Sequence, residues 1–357
     1  MKRKHLFLLT FLVAALVSCN PHEPYVPEEF SVGHGLLVLN EGAYQFASSS
    51  LTFYDTEADT SLNNLFKRVN FDLVQTLGDV AQSMALVDGK LYIVVNNSNV
   101  IYKMDANTIR IDTTQPFKLT DFYSPREMMF VAPNKAYVSD LYGSQLWIVN
   151  PLDMSHSGSI EMGKATEKML LIGSELYVSN WSNTFVHGEK NTVQVVDVNN
   201  DVKVAEITVG KEPNCLAVDN NGHVWVLCEG ATWEADGENP TLWEIDPMLK
   251  SATKRYEFEG TAMIMKANAY GTALYVFYNE EVRRFDIATL ALSESFRIVA
   301  PEGGTFYNMA VNPQNGELYV TDAKNYMMNG TVYRYTEDGV LLSSFEAGII
   351  PSAMLFK

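Results

Sequence analysis

Short runs of apolar residues, each broken by turn-forming polar ones, cover almost the whole of this chain, and one run keeps returning. An aliphatic residue, usually an aromatic, then Val or Ile appear as "LLV" at 36–38, "LYI" at 91–93, "AYV" at 136–138 and "LYV" at 176–178. The series continues as "VWV" at 224–226, "LYV" at 274–276 and "LYV" at 318–320. The first spacing is 55 residues and the rest lie between 40 and 50, a period that belongs to a supersecondary unit. Another apolar run precedes most copies, as in "SMALV" (83–87) or "CLAVD" (215–219), with Asp88-Gly89, Pro133-Asn134, Asn221-Gly222 or Asn315-Gly316 in between. A loop and a third run follow, such as "QLWIVN" (145–150), then a more polar fourth such as "KVAEITV" (203–209). Short apolar runs bounded by turn residues predict strands, and no segment carries a helical period of any length.

Four short antiparallel strands per unit of roughly 45 residues predict a β-propeller blade. The first unit, at Leu36, has no inner strand before it, while "IIPSAMLFK" (349–357) reads as an inner strand with no partner after it. Pairing that tail beside "GLLVLN" completes a seventh blade from both chain ends and hides the edges an open sheet would leave. A double β-sandwich, the rival arrangement, predicts no such exchange between termini. The expected fold is all-β: one seven-bladed β-propeller over residues 34–357. Its repeated Tyr or Trp belongs to the packing between blades, because each blade sits on two near-identical neighbours.

The start of each inner strand and the end of each second strand reach the same face of the disc, so their loops share one rim. Three residues past the repeated aromatic position come, in order, Asn40, Val95, Asp140, Asn180, Cys228, Tyr278 and Asp322; Asn96 and Glu229 supply the polar group one place later. Asn and Asp also end strands as turn formers, so part of this series is expected to be structural. The loops "NEGAYQFASSS" (40–50), "DLYGS" (140–144), "NWSNTFVHGEKN" (180–191), "EGATWEADGENP" (229–240) and "DAKNYMMNG" (322–330) lie on this rim, as does the entry loop "GGTFYN" (303–308). They put Tyr44, Tyr142, Trp181, Trp233, Tyr307 and Tyr326 there, where large aromatics are uncommon. Interleaved with His187, Asn214 and the cations Arg126 and Lys168, they have the composition of a ligand-binding face.

The chain has 357 residues, 47% hydrophobic and 19% charged, with no run of 18 apolar residues able to span a membrane. Its opening, "MKRKHLFLLTFLVAALVSC", has a basic start, an apolar core and small residues before a cysteine, and reads as a secretion signal over 1–18. "LVSC" at 16–19 resembles a bacterial lipobox, in which Cys19 is acylated and becomes the new N-terminus; an ordinary signal followed by a stray thiol is the alternative. The Pro-rich, acidic continuation suits a flexible tether over 19–33, and a lipid would then hold the domain at a membrane surface. Removing the leader takes three cations and no acids, leaving 23 Lys+Arg against 43 Asp+Glu, or −20. Such a chain has no general attraction for nucleic acid or anionic lipid. Two further cysteines, Cys215 and Cys228, flank Asn221-Gly222. If that dipeptide forms a two-residue turn, the thiols face each other, either as a disulfide or as two reduced buried groups.

Catalysis finds little support in the pattern. Of six His residues only His187 falls on the aromatic rim, so no His–carboxylate pair stands out for acid–base work. No Ser-His-Asp arrangement, Cys/His metal spacing or glycine-rich phosphate loop is present. Neither cofactor nor resident metal is expected. The enzyme alternative is a propeller lactonase or lyase that holds a cation on rim carboxylates such as Asp140, Asp322 and Glu229.

"LNEGAY", "SLTFYD", "TLGDVAQSM", "YIVVNNS", "SPREMMFV", "KAYVSDLYG" and "IVNP" resemble the YncE-like propeller lipoproteins of gut Bacteroidetes, densest over 39–151. Among these the chain looks most like the BtuG-type surface proteins. The resemblance implies a lipid-anchored protein on the outer face of the outer membrane, binding cobalamin on one propeller face and passing it to a TonB-dependent transporter. Related propellers are associated with other cargo, including ferric siderophores. A corrinoid is large, roughly planar and fringed with amides, which suits aromatic walls beside Asn, Asp and Glu. A catecholate siderophore is strongly anionic and would want clustered Arg or Lys.

Overall fold

The strands pair into seven four-stranded antiparallel sheets in a computed structural model that describes residues 29–114, 118–181, 190–232 and 237–357. Each sheet is a blade, and the inner strands touch one another in ring order. Blade one runs Pro351–Phe356, Gly35–Asn40, Ser50–Asp55 and Thr60–Leu62 from the axis outward, with Leu37 opposite Leu355. The C-terminal strand therefore closes the ring as the pattern predicted.

The repeated aromatics explain how blades lock together. Tyr92, Tyr137, Tyr177, Trp225, Tyr275 and Tyr319 are all buried. Burying one such ring contributes about 1.5–3 kcal/mol, and its polar end then needs a partner. The hydroxyls find it on the next blade's outer hairpin: Tyr92 donates to the Pro151 carbonyl at 3.3 Å, Tyr275 to the Glu337 carbonyl at 3.1 Å, and Tyr137 to Asp201. One residue type thus supplies both inter-blade core and inter-blade latch.

Three local expectations need correction. Leu65–Asn70 forms a helix between blades one and two, too short to show a period, with Leu65, Phe66 and Val69 buried against the blades. Phe30 and Val32, read as tether, pack on the domain: the Phe30 ring meets Phe53 edge-on at 5.9 Å, and Val32 N–H donates to the Asn107 carbonyl at 2.6 Å. The cysteine hairpin is also out of the expected register. Asp219 accepts from the backbone N–H of Asn221 at 2.8 Å and of His223 at 3.0 Å, while Gly222 takes φ 86° as the left-handed residue of a longer loop. Val218 therefore pairs with Val224, and Cys215 pairs with Leu227. A one-residue slip sends side chains to opposite faces. Cys215 packs with Trp225 and Leu227, Cys228 with Val224 and Val226 on the other side of the blade, and both are free buried thiols. By contrast Asp88-Gly89, with φ 49° and 71°, forms the two-residue turn its sequence suggests.

Candidate functional site: the mouth of the central channel

Seven inner strands cannot fill the axis they surround, so their first residues meet water and one another. Several open on polar side chains: Gln82 in blade two, Arg126-Glu127 in blade three, Glu167-Lys168 ahead of Met169–Ile172 in blade four, Asn214 in blade five and Tyr307 in blade seven. Arg126 is at the centre. Its Nε and Nη2 hold both oxygens of Glu167 at 2.6 and 2.9 Å, and its Nη1 donates to Gln82 Oε1 at 2.8 Å. Lys168 reaches Glu127 at 3.1 Å and Glu167 at 3.7 Å. Burial opposes ionisation of Glu167, but Arg126 and Lys168 outweigh it and hold the carboxyl below its usual range. Burial would likewise lower Lys168, yet Glu127 and Glu167 raise it.

Two further carboxylates flank this pair and behave oppositely. Glu41 accepts from the Tyr307 hydroxyl at 2.7 Å, and Glu229 accepts from Asn214 and, at 3.4 Å, from Trp181 Nε1. Burial raises the pKa of both, and the ionic partners that depress Glu167 reach Glu41 only weakly. Part of each side chain still meets solvent. Trp181 lies with its ring 5.9 Å from the Arg126 guanidinium, so one face of the network is an aromatic wall.

Around this floor stands a collar of exposed apolar side chains: Tyr44, Phe46, Tyr123, Tyr142, Tyr326, Met327 and Met328. Their loops are pinned from below. Asp79 takes the Gln45 N–H at 2.9 Å beside Tyr44. Tyr307 and Tyr326 meet edge-on at 6.1 Å, joining floor to collar. A rigid polar floor inside an aromatic rim can hold a broad ligand with hydrogen-bonding edges. Among the described residues no His lies in it.

Of the residues expected from the sequence, Arg126, Lys168, Trp181, Asn214, Glu229 and Tyr307 come together here. Tyr44, Tyr142 and Tyr326 are exposed and stand on the collar, while Trp181 meets Arg126 and Glu229 on the floor. His187 and Trp233, like Cys19, lie outside the described residues. Asn40, Asp140, Asn180 and Asp322 are corrections, because all four are fully buried and spent on the fold. Asp140 alone accepts from the N–H groups of Tyr123, Ser124, Tyr142 and Gly143 and from Trp147 Nε1, at 2.7–3.2 Å. Asp322 holds the N–H groups of Thr305 and Lys324, each at 2.7 Å. Asn180 bonds the Ala165 carbonyl at 2.9 Å, and Asn40 takes the Gly348 N–H at 3.0 Å. Asn96 is a latch too, donating to Ser124 Oγ and the Pro125 carbonyl, and half-buried Tyr278 packs on Phe258 at 5.4 Å. Sequence reasoning missed Glu41, Gln82, Glu127 and Glu167. The available signal was position: most stand at or just before the start of an inner strand, ahead of its apolar run.

Two places away from the axis were candidates for other chemistry. Asp219, His223 and Glu244 cluster on the opposite face, but Asp219 is held by two backbone N–H groups and Trp225, and Glu244 by Arg255 and His223. That is a closed ion-pair network rather than an open cation site. A cavity of 310 Å³ at the edge of blades one and seven is lined by Ser48, Asn63, Lys67, Gln75 and Asn329 among others, with no carboxylate in its lining.

The family model described as "Domain of unknown function (DUF5074)" matches residues 34–356. No curated protein matches the chain. Among solved structures it is similar to a quinonprotein alcohol dehydrogenase-like protein from Bacteroides thetaiotaomicron, at TM-score 0.69 and 17% identity over 92% of this chain and 79% of that one. A protein from Lactobacillus plantarum gives 0.63 and 14% over 91% and 100%, and apo AztD from Citrobacter koseri 0.55 and 11% over 92% and 99%. At these identities the likeness is one of fold.

Proposed function

We propose, for a chain that belongs to the DUF5074 family, that it is a non-catalytic capture protein which takes up cobalamin or a related corrinoid at the channel mouth. Lipid-anchored through Cys19 on the outer face of the outer membrane, it would deliver this cargo to a TonB-dependent transporter. The observation that supports it best is the pairing of a fixed polar floor with an exposed aromatic and methionine collar. Flat macrocycle faces suit the collar and Trp181, while peripheral amides suit Gln82, Asn214, Glu229, Glu41 and Tyr307. Arg126 and Lys168 already carry their counter-charges, Glu167 and Glu127, so the mouth offers little to a multiply anionic ferric siderophore. Titrating the purified domain with cobalamin, followed by absorbance, tests the reading, with a ferric catecholate siderophore in parallel. Saturable one-to-one cobalamin binding is expected. Binding of the siderophore alone would transfer the site to that cargo, and lactone hydrolysis dependent on added divalent metal would replace capture by catalysis.

A further inference from the structure

One step below the mouth, the inner strands present a second tier at the residue opposite each repeated second-strand position. In six blades it is Ala85, Met129, Leu170, Ala217, Ala310 or Leu355; in blade six, opposite Tyr275, it is Lys266. It is the single cation in an otherwise apolar ring, and so the one charge a ligand meets at that depth. Lys266 forms no ion pair and no hydrogen bond among the described residues. Its side chain is solvent-exposed, and Lys168 of blade four and Glu127 of blade three act on its charge. Exposed on the inner strand of blade six, it points into the channel, where groups from blades across the disc face it. Among the described residues near the axis, Arg126 is matched by Glu167 and Lys168 by Glu127; Lys266 is left over.

We propose that Lys266 is the receptor for a single oxyanion, phosphate or carboxylate, on the part of the ligand that enters the channel. The inference rests on the mouth being a ligand site and makes it selective: neutral or singly anionic ligands fit, and multiply anionic ones do not. Among corrinoids it separates cobalamin, whose nucleotide loop carries one phosphodiester, from cobinamide, which lacks that loop.

The test compares wild type, Lys266→Met and Lys266→Arg by calorimetric titration with cobalamin and with cobinamide. Line broadening of dimethyl phosphate and of acetate, both monoanions, in NMR spectra on the same three proteins reads the anion site without any corrinoid. Lys266→Met should bind cobalamin about thirtyfold more weakly, leave cobinamide within about twofold, and abolish broadening of whichever oxyanion the wild type holds. Lys266→Arg should retain binding, which also separates loss of charge from loss of fold. Equal cobalamin affinity in wild type and Lys266→Met overturns the proposal, with capture itself intact. Lys266-dependent oxyanion broadening without corrinoid binding keeps this site and removes cobalamin as the cargo; absence of both removes both.

Discussion

Replacing Glu167 by Gln keeps the shape at the hub of the channel mouth and removes its charge. Glu167 is 1% exposed and receives two Arg126 bonds at 2.6 and 2.9 Å, with Lys168 at 3.7 Å. An amide can accept through one oxygen only, so one Arg126 N–H would face an NH2 group and two cations would lose their shared anion. Breaking a buried ion pair by removing one partner costs about 3 kcal/mol, the low end of the usual range, because the channel admits some water to Arg126. With an unfolding entropy of about 2.1 cal/mol/K per residue, a domain of roughly 320 residues should melt about 4–5 °C lower. The folded-state carboxyl sits below its unfolded value of 4.5, so its contribution is full above that pH and lost as pH falls through the folded pKa. Scanning calorimetry at pH 7 should therefore show the full gap between wild type and Glu167→Gln, and a pH series should narrow it progressively as pH falls below the unfolded value of 4.5. Melting within about 1 °C of wild type at pH 7 would refute the hub, as would a gap that widens in acid.

Further outcomes follow from neighbouring groups. Asp140→Ala takes the acceptor from five N–H donors, two of them in fully buried bonds, and should destabilise by about 3 kcal/mol in calorimetry, whereas Tyr142→Ala, on the exposed collar, should melt as wild type does. Glu229 has the opposite linkage to Glu167: its folded pKa is raised, so stability falls as pH rises through that value. Glu229→Gln should accordingly melt higher than wild type at pH 8 and equally at pH 4; a lower melting point at pH 8 would contradict the assignment. Cys215 and Cys228 should both alkylate in unfolded, unreduced protein, as read by mass spectrometry, because they face opposite sides of their blade.

The propeller was legible because its period is carried by buried side chains: "LYV" and its variants must recur wherever a blade meets the next, and the closing strand follows from counting them. The cysteine register was not, because the Asp219 side chain captures two loop N–H groups and lengthens the turn that Asn221-Gly222 alone would make short. Among rim residues, Asp140 and Glu229 look alike in sequence. They differ only in direction, one curled under its own loops and the other aimed at Asn214 and Trp181. Glu167 was hidden for a related reason, since "ATEKML" reads as an ordinary strand start until Arg126 arrives from the blade before it. Pairings between blades depend on closure of the ring, which periodicity implies without saying which side chains meet.

Calorimetric titration of cobalamin into Trp181→Ala beside wild type tests the central claim most directly. Trp181 touches both the Arg126 face and Glu229 but belongs to no blade core. An aromatic anchor of this kind costs about 2 kcal/mol or more when truncated, roughly thirtyfold in affinity. The account predicts that loss with a melting temperature unchanged from wild type. Undiminished cobalamin affinity in a folded Trp181→Ala protein would place the binding site somewhere other than the channel mouth.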